Sequence, residues 1–303
     1  VASIDLALVN TTRIGYGIAP RLNAAGRMAD PRIGFDLLLS RDPGQALALA
    51  SSLDNLNRLR QSETETVIDE VLERISASTE RADAPILVES SDQWRTGILG
   101  LAAGKLVERL GRPVILLREG EGLAAGSCRS VPGLHIVELL RNYESLLDRF
   151  GGHSQAAGLS ISSSRIDQLR EALLADPKLL GLNLPVAPEL WIDAQLDHQQ
   201  VTLETARLVM QLSPYGAGNP EPVFMIPAVS IVRAELMGRD RSHLKMVWRG
   251  PHGEVRAPFF GAAERLSELS HGKPVDVACH LSVDQWNGQP RVDVKVLDFR
   301  PSA

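Results

Sequence analysis

The stretch PILVESSDQWRTGILGLAAGKLVERLGRPVILL, residues 85–117, decides the fold. Residues 85–88 are a short apolar run rich in branched side chains, the pattern of a buried strand. Residues 97–110 follow helical spacing with small residues along one face, and 113–117 form a second short, branched, buried strand. Strand, helix and strand in this order predict an α/β sheet. The alternation continues with a strand at 123–127, a helix at 134–142, a short helix at 146–150 and a strand at 157–161. Together these predict an α/β domain over residues 80–182.

Upstream, residues 51–75 contain neither Gly nor Pro. Leu53, Leu56 and Leu59 recur every third residue, Val67, Ile68, Val71 and Leu72 follow at helical spacing, and Glu70 and Arg74 form a favourable i,i+4 pair. This predicts a connecting helix over 51–77, of which the roughly 25 residues of the repeat span about 38 Å at ~1.5 Å per residue. Residues 1–50 are punctuated by Gly and Pro, with helical signals at 35–39 and 45–50. Downstream of Pro185 and Pro188 the pattern changes to half-buried strands at 190–196, 223–234, 243–248, 255–259, 275–283 and 291–297. A helix at 202–212 interrupts them. Asn287-Gly288 is a type I′ hairpin signal. Residues 188–303 therefore read as an all-β, OB-type barrel.

The 303 residues suffice for two or three domains, and 44% hydrophobic with 23% charged residues is ordinary for a globular protein. A net charge of −5 gives no global sign of nucleic-acid binding, so any such site must be a local basic patch. Two distant cysteines, Cys128 and Cys279, argue against a disulfide scaffold or a zinc site and fit a reducing, cytoplasmic compartment. No apolar run approaches the ~18 residues of a membrane span. The chain opens on Val1 within an apolar stretch, which reads as the interior of a longer protein.

Several motifs could carry chemistry. In residues 20–27, Arg21, Asn23 and Arg27 surround small residues, a pattern suited to bidentate contact with phosphate. The plain alternative is a loop whose arginines cap helix ends or pair with Asp30 and Asp36. Gly126-Ser127-Cys128-Arg129-Ser130 could form an anion pocket or be a surface turn with a capping serine. Cys128 has no base near it in sequence and reads as a packed residue. Trp94, at a strand–helix junction, reads as a packing anchor rather than a base-stacking platform. Gly151-Gly152-His153-Ser154-Gln155-Ala156-Ala157-Gly158 combines a flexible turn with a histidine able to face phosphate. In the barrel, Arg239, Arg241, His243, Lys245 and Arg249 cluster with Trp248, as in a single-strand groove or a solvated strand face. Residues 188–303 as a whole hold 12 Lys+Arg against 14 Asp+Glu. No two-metal Asp/His cluster, P-loop, Gly-x-Ser-x-Gly or His-Glu-x-x-His motif occurs.

Taken in order, Arg21–Arg27, the long helix, Trp94 with Gly97-Ile98-Leu99-Gly100, Gly126–Ser130, Gly133-Leu134-His135 and the 151–158 octet resemble the RecJ family of the DHH phosphoesterase superfamily. Gly216-Ala217-Gly218-Asn219-Pro220-Glu221-Pro222 and His243-Leu244-Lys245 extend the resemblance into the barrel. It implies a single-stranded-DNA-specific 5′→3′ exonuclease of DNA repair and recombination, using two divalent metals, Mn²⁺ or Mg²⁺. It further implies that residues 1–50 are the closing end of the catalytic domain and that the metal ligands lie outside this chain. The present residues would form the substrate-binding part, inactive alone. On the motif match, Arg21, Asn23, Arg27, Ser127, Arg129, Ser130, Gly151, Gly152 and His153 contact the terminal phosphate or backbone, with His153 facing the metal centre. Arg239, Arg241, His243, Lys245 and Trp248 would bind single-stranded DNA in the barrel. Single-strand-binding protein and a RecQ-type helicase are the implied protein partners. One departure stands out: Arg95 follows the motif Trp, where the family has His. The alternatives are a relative acting on short oligonucleotides or cyclic dinucleotides, and a non-catalytic single-strand-binding homologue.

Overall fold

In the computed structural model, residues 1, 9–186, 189–269, 273–284 and 289–302 are described. The chain divides into two compact units, with the change at Glu189/Leu190.

The first unit opens with three α-helices, α1 (Ala19–Met28), α2 (Arg32–Leu39) and α3 (Pro43–Ser76). The long helix starts earlier than its apolar repeat suggests. Asp42 caps it by accepting from the Gln45 N–H at 2.6 Å, and Pro43 sits in the first turn, where its missing N–H costs nothing. Over 34 residues it reaches about 51 Å. The Gly/Pro-punctuated segment 20–27 is helical rather than a loop. Pro20 occupies the first turn of α1, and Ala24 and Ala25 are fully buried.

A short α4 (Thr79–Asp83) leads into a sheet of β1 (Leu87–Ser91), β2 (Val114–Glu119), β3 (Leu123–Arg129), β4 (Leu147–Gly152) and β5 (Ala156–Ser162). Between these strands lie α5 (Thr96–Leu110) and α6 (Ile136–Arg141), and α7 (Ile166–Leu174) and α8 (Pro177–Leu180) follow. The strand order is β1-β2-β3-β5-β4, parallel only between β1 and β2. Residues 146–150 are therefore mostly strand and not a short helix. The Gly-Gly end of β4 folds back as a hairpin onto β5, and tertiary pairing overrides the local signal. One face of the sheet, including Leu87, Val114 and Leu116, packs on α3 and α5. The other, including Ile115, Leu117 and Cys128, packs on α6 and α7.

The second unit comprises β6 (Ala194–Gln195), α9 (Leu203–Met210), β7 (Phe224–Val229), β8 (Ile231–Met237), β9 (His243–Gly250), β10 (Gly253–Phe259), β11 (Val275–Asp284) and β12 (Arg291–Pro301). It is β-rich as expected, arranged as two sheets, β10-β9-β8 and β12-β11-β7-β6, around one apolar core. Two strand readings change. Only Ala194–Gln195 pairs within 190–196, and the 223–234 run breaks at Ser230 between β7 and β8. β11 and β12 pair from Val275↔Pro301 to Asp284↔Arg291. The Asn287-Gly288 signal lies outside the described residues.

Candidate nucleic-acid interface

α1, α5 and the β3–β5–β4 edge gather most of the motif residues. Gly97 opens α5 and allows the end of α1 to press against it. A Cβ at that position would fall 2.2 Å from the Arg27 carbonyl oxygen. Arg27 Nη1 donates back to the Gly97 carbonyl at 3.0 Å. Beside this contact is an open cleft of about 430 Å³ whose lining includes Asp92, Arg95, Thr96 and Arg118. Arg95, at the departure from the family pattern, pairs with Glu63 of α3 at 2.9 Å. Trp94 is buried as an anchor: its Nε1 donates to Glu70 at 2.7 Å, and the Arg74 guanidinium lies 5.1 Å from the ring centroid.

Ser127 and Arg129 point to the α5 side of the sheet, because they share rows with Leu116 and Val114. Gly100 makes room for them. A Cβ there would meet Arg129 Nη2 at 2.7 Å and Ser127 Oγ at 3.4 Å. Burial lowers the pKa of the Arg129 guanidinium, and the charge of Arg27 lowers it further. Arg129 Nη1 donates to its neighbour's carbonyl, at Cys128, and among the described residues to no carboxylate. Ser130 is buried and its hydroxyl donates to Leu134 O at 2.8 Å, so it holds the following turn. Cys128 faces the opposite core, and burial pushes its thiol up to about 12. Such a thiol is inert at neutral pH.

The glycine–histidine octet is the β4–β5 hairpin. Gly151 pairs with Gly158, which pairs with Ser127, making one row across three strands. Gly151 and Gly158 are exposed, and a Cβ on Gly151 would meet nothing within 4 Å. Gly152 is different. Its φ of +151° and a Cβ position 2.3 Å from Ala156 O make it a backbone requirement. His153 is exposed at the tip, its N–H donating to Ala156 O. The tip is tied to the rest of the face because Gln155 O accepts from the Ser130 N–H and Ser154 O from the Ile136 N–H.

Arg21 stands apart from this group. Its Nε donates to Asp54 of α3 at 2.8 Å, which holds that carboxyl below the usual carboxylate range and clamps α1 to α3. Asn23 is exposed on α1. Arg60 of α3 was not singled out from sequence. It lies close enough to Arg27 to be depressed by its charge, after burial. Its signal was hidden inside the helix repeat that identified α3.

In the second unit Trp248 is buried at 1% exposure and belongs to the core, so it presents no stacking face. On β9, alternation sends Trp248 inward while the charged residues line the outside. The exposed aromatic beside these charges is Phe260, half exposed, with the His243 ring edge-on at 5.2 Å and Lys295 Nζ 5.9 Å from its centroid. His243 Nδ1 accepts from the Gly261 N–H at 3.0 Å, which leaves Nε2 as the protonated nitrogen of the neutral ring. Arg239 and Arg241 are exposed in the adjoining turn. Lys245 pairs with Glu235 and lines a groove of about 1040 Å³ together with His252, Arg256, Arg291 and Asp293.

Among the described residues no three His, Cys, Asp or Glu side chains are placed to hold a metal ion, and no helix is long and apolar enough to cross a membrane. The model of the DHHA1 domain matches residues 83–176, and that of the RecJ OB domain matches residues 192–298. The chain is similar to the single-stranded-DNA-specific exonuclease RecJ of Bacillus subtilis, 30% identical over 97% of this chain and 37% of that protein. It is 34% identical to RecJ of Salmonella typhimurium, over 99% of this chain and 53% of that protein. It thus spans between about a third and a half of these curated relatives. The crystal structure of RecJ from Thermus thermophilus in complex with Mn²⁺ matches with a TM-score of 0.80 and 30% identity, covering 97% of this chain and 42% of that one. A Mg²⁺ complex of the same protein matches equally well. With a DHHA1 domain followed by a RecJ OB domain, and relatives of one kind along nearly its whole length, the chain belongs to the RecJ family.

Proposed function

We propose that this chain is the strand-holding part of a 5′→3′ single-stranded-DNA exonuclease of repair and recombination, and that Arg27, Ser127 and Arg129 receive the terminal phosphate. One observation carries the reading. Arg27 bonds to Gly97 and Arg129 packs against Gly100 three residues further along α5, within electrostatic reach of each other, and neither has a carboxylate partner among the described residues. Two neighbouring guanidiniums, Arg27 exposed and Arg129 half-buried, favour an anion between them. Ser127 adds a hydroxyl donor on the same face. The exposed Gly151–Gly158 row beside them has no side chain above it, so a sugar-phosphate backbone can approach the sheet closely. His153, at the exposed tip of the hairpin, is the proposed donor toward the scissile region.

The chemistry of the parent activity is phosphodiester hydrolysis assisted by divalent ions, which the two Thermus structures contain as Mn²⁺ and Mg²⁺. The residues described here do not form such a centre. Their part is positioning and charge neutralisation. In the second unit, Lys245, Arg239, Arg241, His243 and Phe260 form the proposed single-strand contact, with Phe260 in the stacking role expected of Trp248. Cytoplasmic location and contacts with single-strand-binding protein and a RecQ-type helicase belong to the same reading.

Two measurements test it. Binding of 5′-phosphorylated and 5′-hydroxyl oligothymidine to this chain, followed by fluorescence anisotropy, is expected to favour the phosphorylated end, and Arg129→Ala is expected to abolish that preference. Equal affinity of the unaltered chain for both ends overturns the phosphate assignment. The chain alone, supplied with Mn²⁺, is expected to leave a 5′-labelled oligonucleotide intact.

A further inference from the structure

Three buried side-chain polar atoms among the described residues have no hydrogen-bond partner: Asn57 Oδ1, Arg60 Nε and Trp248 Nε1. Two of them are three residues apart in α3 and so share one helix face. Buried polar atoms are nearly always satisfied, and an unpaired one costs its full desolvation. The other half-buried or buried arginines of this unit have found partners. Arg21 has Asp54, Arg74 and Arg81 share Glu89, and Arg112 donates to the carbonyls of Ala82 and Ala84. Arg60 has none.

The geometry points outward from the Arg21–Asp54 clamp. Arg27 is six residues beyond Arg21 on α1, and Arg60 six residues beyond Asp54 on α3, about 9 Å along each helix. At that distance the two guanidiniums are near enough to repel. Arg129 too is near enough to Arg27 to be repelled by it.

We propose that Arg60 forms the α3 wall of the anion site, so that a phosphate group held by Arg27 and Arg129 is also bound by Arg60, with Asn57 three residues before it on the same helix face. This rests on the phosphate reading above and adds one residue to it. The site is left incomplete in charge by the protein itself. Among the described residues its three guanidiniums have no carboxylate partner, and one divalent phosphate group offsets two of the three charges.

A residue with a merely structural role stabilises the free chain, whereas a site residue kept for an absent anion destabilises it. Thermal unfolding of the chain with and without inorganic phosphate separates the two. The unaltered chain is expected to melt higher as phosphate rises. Arg60→Met is expected to melt no lower than the unaltered chain in phosphate-free buffer and to lose most of the phosphate response. Arg60→Lys should keep part of it. Asn57→Asp places a carboxylate on the helix face that carries Arg60, so it is expected to raise the melting temperature and to abolish the response. Affinity for 5′-phosphorylated oligothymidine should fall about tenfold in Arg60→Met, the size of one charge-assisted hydrogen bond. A lower melting temperature for Arg60→Met with an intact phosphate response overturns the proposal. If that response is lost in Arg129→Met but kept in Arg60→Met, only the α3 wall fails. If the unaltered chain ignores phosphate, the parent reading fails with it.

Discussion

The guanidinium of Arg129 occupies the space a side chain at Gly100 would need, with Nη2 2.7 Å from where that Cβ would sit. The glycine in α5 thus sets the position of an arginine on the sheet below. Gly100→Ala should gain helix propensity of up to about 1 kcal/mol, offset in part by the contact, since the far end of Arg129 can move. The melting temperature is expected to change little, while affinity for a 5′-phosphorylated strand falls by about tenfold, one hydrogen bond's worth. Calorimetry and anisotropy on the same sample check both halves. Unchanged binding would detach Arg129 from the site.

Gly151 and Gly152 are adjacent and should respond in opposite ways. Gly151→Ala meets open space, so its stability is expected to hold while strand binding drops. Gly152→Ala forces a side chain into a positive-φ position and against Ala156 O, and should cost at least ~1–3 kcal/mol. Denaturant midpoints for the two variants decide it. Similar destabilisation by both would mean that the row is structural.

The two aromatics of the second unit also separate. Phe260→Ala should weaken binding of oligothymidine by about 1–3 kcal/mol, one stacked base, without lowering the melting temperature. Trp248→Ala removes a fully buried ring and should cost about 3–5 kcal/mol of stability. A strand of abasic residues is the control. It should bind the unaltered chain and Phe260→Ala equally.

Alkaline pH should reveal the buried thiols. In the folded chain burial raises Cys128 and Cys279 to about 12, whereas an unfolded thiol ionises near ~8.5. A raised folded value means that the stabilising contribution is complete below the unfolded pKa and is lost as pH climbs from there toward 12. Unfolding free energy is expected to fall over that window, and Cys128→Ala should flatten the slope. An unaltered slope would show that Cys128 does not contribute.

Much of the α/β unit was legible because its strands are short, branched and fully buried, so residues 85–88 and 113–117 carry an unambiguous apolar signal. The β4 strand was not legible. Leu147-Asp148-Arg149-Phe150 has no strand period of its own and exists through its pairing with β5. Helix α1 was obscured by Pro20 and Gly26, which usually interrupt helices but here stand in its first turn and on an exposed face. At the proposed site, residue types alone singled out Arg27, Ser127 and Arg129. Arg60 escaped because an arginine inside a long helix looks like any solvated one until its partners are counted. Trp248 misled for the reverse reason: a basic strand with a neighbouring ring resembles a nucleic-acid face, yet period-two alternation puts that ring in the core.

The bare row of Gly151 and Gly158 has a last implication. A surface without side chains has no rotamers to freeze and offers no donors or acceptors aimed at base edges. In the proposed strand-holding role, whatever is laid across it would be registered only by its backbone, so one nucleotide would be handled like the next. Indifference to sequence is then a property of the missing atoms, built into the sheet before any ligand arrives.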